Sequence, residues 1–202
     1  EISECLVGSE MCIRDSNHIL FNIGNRQGES GAVKDAYVTY TADGHIEGWV
    51  ITMPEYVKKY QPGATVPLYF SAVLDRKPES YGSFHGNTQL ADAKESKGTG
   101  AGMYFTFSNE QQEAVTAKIG LSYTSVENAR INLQAEAEGK TFEDAKEQAH
   151  QIWQEYLGRI EVETSKKEDK VKFYTGLYHA LLGRGLANDV NGAYPVSYTH
   201  LT

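Results

Sequence analysis

The sequence predicts a chain that is β first and α second: an antiparallel sandwich followed by helices. Three observations carry this reading. Apolar residues alternate at period two from Asn17 to about Ser122, and the period changes to 3.6 from Ser125 onward. No helical stripe separates the strands, which argues against a βαβ arrangement.

The elements follow in order. Ile19-Leu20-Phe21-Asn22-Ile23 is an apolar run closed by Gly24, and Ala36-Tyr37-Val38-Thr39-Tyr40 is aromatic and β-branched, so both read as strands. Asp43-Gly44 is a turn dipeptide, and beyond it Ile46, Gly48 and Val50 alternate with Glu47, Trp49 and Ile51, which predicts a hairpin. Further strands are expected at Val66 to Leu74, Met103 to Phe107 and Val115 to Ser122, about six in all. Ser125 is placed to cap a helix with the stripe Val126, Ala129, Leu133, ending before Gly139. Thr141 with Asp144 caps a second helix, whose apolar face runs Phe142, Ala145, Ala149, Ile152, Trp153, Tyr156 and stops at Gly158. Residues 159–163 read as extended. A capping box at Ser165 and Glu168 opens a third helix, with Val171, Tyr174, Leu177, Tyr178 and Leu181 inward and Gly183 as its stop. Three such helices cover one another only in part, so their stripes call for further neighbours.

Composition narrows the function. The chain has 202 residues, 40% hydrophobic and 23% charged, with 13 Tyr, 7 Phe and 2 Trp, enough apolar surface for a real core. Its 27 acidic and 19 basic side chains leave a formal charge of −8, the wrong sign for a phosphate-backbone partner, so no nucleic acid is expected. No apolar run is long enough to span a bilayer, and the first residues do not read as a signal peptide. Both cysteines, Cys5 and Cys12, fall within the first 16 residues, so a disulfide framework or thiolate metal site in the body is excluded. Residues 1–16 and 196–202 resemble translated sequencing-adapter read-through and are read as non-native flanks of an internal piece of a longer protein.

Chemical motifs are sparse. Gly98-Thr99-Gly100-Ala101-Gly102 precedes a strand rather than opening a helix, so a sheet connection is preferred to a phosphate loop. Asp189-Val190-Asn191-Gly192 has the oxygen-rich look of part of a calcium loop but lacks the later ligands, which favours a turn. The six histidines show no zinc spacing, and His179 among Tyr178, Ala180 and Leu181 is expected to be packed. Glu143, Asp144, Glu147, Glu155, Glu161 and Glu163 are assigned to solvent faces and helix starts, so no general-acid pair stands out. Trp49 and Trp153 are the candidates for stacking on sugar rings, but Trp153 lies on its helix's apolar face and is expected to pack there first.

Three blocks add a resemblance. VTAKIGLSYTSVENARINL (residues 115–133), WQEYLGRIEV (153–162) and FYTGLYHALL (173–182) followed by DVNGAY (189–194) are similar, in this order, to glycoside hydrolase family 92, the calcium-dependent exo-acting α-mannosidases. His45-Ile46-Glu47-Gly48 and Leu68-Tyr69-Phe70-Ser71 fall where that family has comparable sandwich strands. The resemblance implies a partial sandwich at 17–124, a helical linker at 125–164 and the start of an (α/α)6 catalytic toroid at 165–195, between the flanks 1–16 and 196–202. It implies a bacterial glycosidase, periplasmic or secreted, that hydrolyses terminal α-mannosides of glycans with inversion. One carboxylic acid would protonate the leaving oxygen, one carboxylate would activate water, and calcium would orient the sugar. In such enzymes those groups lie beyond residue 195, with the rest of the barrel. No catalytic, substrate-binding or metal residue is therefore assigned in this chain; Asp189 and Tyr194 are the residues expected nearest the cleft rim. The alternative is a carbohydrate-binding or scaffold sandwich with docking helices and no catalysis.

Overall fold

A computed structural model describes residues 17–26, 31–108, 114–182 and 188–195. Nine strands are seen among them: β1 (Asn17–Asn22), β2 (Ala32–Tyr40), β3 (Ile46–Met53), β4 (Val66–Leu74), β5 (Ser80–His85), β6 (Thr88–Ala91), β7 (Glu95–Lys97), β8 (Ala101–Phe107) and β9 (Ala117–Ser122). They form two antiparallel sheets, ordered β1-β8-β5-β6 and β7-β2-β3-β4-β9. The four helices are α1 (Glu55–Tyr60), α2 (Val126–Ala137), α3 (Phe142–Gly158) and α4 (Lys167–Leu182). The expected order, sandwich then helices, is what the molecule has.

Period-two alternation builds the core. Val38, Ile46, Phe70 and Ala72 of the five-stranded sheet face Phe21, Met103, Phe105 and Phe107 of the four-stranded sheet, and all eight are buried. Phe21 stacks on Phe70 at 6.2 Å and meets Phe105 edge-on at 5.8 Å, so aromatic contacts tie the layers together. The Asp43-Gly44 turn closes the β2–β3 hairpin as expected: Tyr40 pairs with Ile46, and Gly44 takes a positive φ of 86°. The glycine-rich stretch before β8 is a turn feeding a strand, not a phosphate loop.

Several expectations need correction. Strands β5, β6 and β7 and helix α1 were not anticipated. Val115 precedes β9 and packs, partly buried, against the core. Residues 159–163 are irregular rather than a strand. The Ser165/Glu168 box does not form; Thr164 Oγ1 instead accepts from the Lys166 amide at 3.2 Å just before α4. His179 is exposed, beside Tyr178, because the face it occupies meets no neighbour among the described residues. The two flanks, with Cys5 and Cys12, and Gly183 lie outside the described residues.

The chain divides into two compact units. The first takes the sandwich, α2 to Glu136 and the segment from Asn188 onward; the second is 137–187. In the second, α3 opens on the expected capping box: Thr141 Oγ1 accepts from the Asp144 amide at 3.2 Å while Asp144 Oδ2 accepts from the Thr141 amide at 2.8 Å. Trp153 of α3 packs against Tyr178 of α4 with ring centroids 4.6 Å apart. No described residue of either helix is buried.

Candidate functional site

The junction of β9 and α2 gathers the polar groups that the strands and helix cannot bury apolarly. Gly120 lies on the face of β9 turned to α2. A Cβ there would sit 2.3 Å from Ala129 O and 2.7 Å from Leu133 N, so the helix backbone lies against the strand where a side chain would otherwise stand. Ser125 caps α2 as expected, its Oγ accepting from the Asn128 amide at 3.1 Å. Asn128 and Asn132, four residues apart, therefore share one side of the helix and reach the same place.

That place is occupied by Asp189. Its residue is 3% exposed. Oδ2 accepts from Ser122 Oγ at 3.0 Å and from Thr124 Oγ1, and Oδ1 accepts from Asn132 Nδ2 at 2.7 Å. The two hydroxyls also lie 3.0 Å from each other. Ser122 Oγ already accepts from the amides of Thr124 (2.9 Å) and Ser125 (3.3 Å), and Thr124 Oγ1 accepts from Asn128 Nδ2 (2.7 Å). Burial works to raise the Asp189 carboxyl, but donors from Thr124, Asn132, Ser122 and Asn128 outweigh it and hold its pKa below the ordinary value. The segment is fastened further by the Val190 amide to Asn132 Oδ1 (3.0 Å) and Asn191 Nδ2 to Asn128 Oδ1 (2.9 Å). A tight turn closes it, with the Asp189 amide on Ala193 O at 2.7 Å and Gly192 at φ 84°.

A second cluster ties α2 to the middle of the sheet. Glu47 and Ser71, register partners on β3 and β4, face the helix. Glu47 Oε1 accepts from Arg130 Nε at 2.7 Å and Ser71 Oγ at 2.9 Å, while His45 Nδ1 lies 3.1 Å from that hydroxyl. Arg130 also donates to Asp43 Oδ2 at 2.8 Å. Thr41 and Arg130, donating to Asp43, hold its carboxyl at about 2. The pairing raises the Arg130 guanidinium pKa, with Glu47 contributing most.

Neither cluster presents a carboxyl poised as a general acid. A general acid needs a pKa raised toward neutrality, and both perturbed carboxylates are shifted down. Nor does the donor set fit calcium, because the Asp189 oxygens face hydroxyl and amide protons rather than open space. Among the described residues no three His, Cys, Asp or Glu side chains gather as a metal site. Asp189 is thus a clasp, and Tyr194, 65% exposed, stands just beyond it. The six carboxylates of 143–163 are solvent-exposed, as expected. Trp49 lies on the helix-side face of the sheet, half-buried, 6.3 Å from the Tyr37 ring. Sequence reasoning missed Arg130, Glu47, Ser71, Asn128 and Asn132. Two signals were there to find: the i, i+4 asparagines, and the polar residues interrupting β4 and β9.

The molecule thus has a two-part architecture, an antiparallel sandwich whose last strand is clasped to the first of a run of helices. The N-terminal domain profile of glycosyl hydrolase family 92 matches residues 13–122, and the catalytic domain profile of the same family matches residues 128–201. The chain belongs to glycosyl hydrolase family 92. Among solved structures it is similar to the family GH92 α-mannosidase BT3965 from Bacteroides thetaiotaomicron, with TM-score 0.75 and 22% identity over 89% of this chain and 24% of that one. It is similar to the GH92 glycosyl hydrolase ccman5, with TM-score 0.74 and 23% identity over 88% and 23%. The inverting mannosidase BT2199 from Bacteroides thetaiotaomicron VPI-5482 gives TM-score 0.72 and 21% identity over 91% and 24%. No curated protein matches. The chain thus spans about a quarter of the length of these solved chains.

Proposed function

We propose that this chain is the sandwich, linker and opening catalytic-domain portion of an inverting, calcium-dependent exo-α-mannosidase that removes terminal α-mannose from glycans. The observation that carries the proposal is the ordered pair of family matches, meeting at the β9–α2 junction that the Asp189 cluster fastens. Support for the substrate comes from the similar structures: one is described as an α-mannosidase, also seen in complex with mannoimidazole, and another as an inverting mannosidase.

Inversion requires an acid and a base about 6.5–9.5 Å apart with a water between. Neither cluster supplies such a pair, so the acid, the base and the calcium ligands are assigned to the catalytic polypeptide beyond residue 195. The described residues contribute position: they fix the sandwich against the first helix of the linker. Residues 17–195 alone are then inactive. No helix among the described residues is long and apolar enough to cross a membrane.

The test is turnover by the longer protein on a terminal α-mannoside, followed by NMR of the released sugar. β-Mannose should appear first and mutarotate later. A chelator should abolish release and added calcium restore it. α-Mannose as first product would overturn inversion, and chelator-resistant turnover would overturn the calcium requirement. Glycan binding without hydrolysis by the longer protein would favour the non-catalytic module instead.

A further inference from the structure

Asn191-Gly192 is the only Asn-Gly step in the sequence, and the Asp189 turn closes on it. Asn191 uses both ends of its side-chain amide there: Nδ2 donates to Asn128 Oδ1 at 2.9 Å, and Oδ1 accepts from the Ala193 amide at 3.0 Å. The Gly192 amide donates to Asp189 O at 2.8 Å, and Gly192 takes the positive φ of 84°. Both residues are exposed, so water reaches a peptide whose reacting groups are hydrogen-bonded. The combination has a chemical consequence. Gly192 has no Cβ to hinder its nitrogen, so in an unrestrained chain that nitrogen closes readily on the Asn191 side-chain carbonyl to form a five-membered imide. The folded turn commits both groups elsewhere: the N–H that must be lost is on Asp189 O, and the amide nitrogen that must leave is on Asn128.

We propose that Asn191 is a deamidation site guarded by the clasp around Asp189: it is protected while the clasp is closed, and its conversion once the clasp opens prevents reclosure. In the open segment the Gly192 nitrogen gives its proton to solvent base and attacks Asn191 Cγ. The N–Cγ bond forms, the Cγ–Nδ2 bond breaks, and Nδ2 leaves as ammonia with a proton from water. Water then adds to either imide carbonyl and leaves aspartate or isoaspartate. The sum is amide plus water to acid plus ammonia, with no change of oxidation state. Neither product fits the closed turn. Aspartate sets a carboxylate oxygen against Asn128 Oδ1 where a donor stood, and Asn128 cannot turn its amide round without losing the Nδ2 bond to Thr124 Oγ1. Isoaspartate lengthens the main chain by one carbon inside the turn that the Asp189 amide and Ala193 O close at 2.7 Å. A molecule so modified loses the fastening between the β9–α2 junction and the segment that runs on past residue 195. The inference concerns the clasp alone and is independent of the mannosidase reading.

The test follows the amide-to-acid mass change at Asn191 by peptide mapping of the 202-residue chain, held at mildly alkaline pH both folded and unfolded in urea. Conversion should be at least about tenfold slower in the folded chain, because only locally opened molecules react. Asp189→Ala should bring the folded-state rate up toward the urea rate. Asn128→Ala, which removes the partner of Asn191 Nδ2, is a second variant should Asp189→Ala fold poorly. In the modified fraction, separated by ion exchange, the amides of Asp189, Val190 and Gly192 should exchange freely, since the bonds that protect them belong to the closed clasp. Protection kept in β2, β3 and β8 of the same fraction would distinguish an open clasp from general unfolding. Equal rates in the folded and unfolded chains would overturn the guarding, as would an Asn191 that stays intact in urea. Protected amides at 189–192 in the modified fraction would overturn the one-way step.

Discussion

Asp189 carries its charge inside a ring of donors, the hydroxyls of Ser122 and Thr124 on one oxygen and the Asn132 amide on the other. Asparagine is a poor substitute: if its amide oxygen takes the Ser122 and Thr124 hydroxyls, its NH2 faces Asn132 Nδ2, itself a donor because Asn132 Oδ1 already accepts from the Val190 amide. Asp189→Ala should destabilise the sandwich unit by about 2–3 kcal/mol, the usual cost of leaving buried donors without a charged partner, measured by denaturant unfolding. The sign of the pH effect follows from the lowered pKa. The folded state binds the proton less readily than the unfolded chain, so the stabilisation is fully present above the unfolded carboxylate value and is lost as pH falls through the folded one. Asp189→Ala should accordingly flatten the acid limb of stability against pH. An unaltered acid limb would show that the clasp contributes nothing. From sequence, Asp189 was recognisable as a turn residue, but its burial was not, because its donors lie more than 50 residues away in the chain.

At the level of elements, the contact between α2 and β9 depends on one missing side chain. Gly120 has no unusual φ, so its requirement is room rather than backbone freedom. Gly120→Ala should push α2 outward and cost about 1–3 kcal/mol as an overpacked contact, whereas an alanine at the open Gly176 position of α4 meets nothing within 4 Å and should not destabilise. Comparing the two melting temperatures checks this. Strands with strong alternation, β2, β3 and β4, were legible in the sequence because their own residues supply the core. β6 and β7 were not: Thr88–Ala91 is exposed throughout, and Glu95–Lys97 buries only Ser96. Their neighbours recruit them. Even so, Gly86-Asn87 offered a two-residue hairpin signal between His85 and Thr88, with Gly86 at φ 57°. Helix α1 is too short for any periodic stripe to reveal it.

Across the whole molecule, burial is uneven in a way the stripes foreshadowed. The sandwich unit holds every buried apolar side chain of the described residues, while α3 and α4 bury none and leave Phe142, Val171 and Leu182 more than half exposed. A helix pair joined mainly by Trp153 and Tyr178 has little to resist local opening. Hydrogen exchange should therefore divide the 202-residue chain into two tiers: slow amides in β2, β3, β4 and β8, set by global unfolding, and fast amides throughout 142–182. In the longer family 92 protein, where further polypeptide is available to cover those stripes, the 142–182 amides should slow by at least about tenfold. Equal exchange of both segments in the 202-residue chain would mean that the helix pair is stabilised by something other than burial, and the stripes would then need no further helices to explain them.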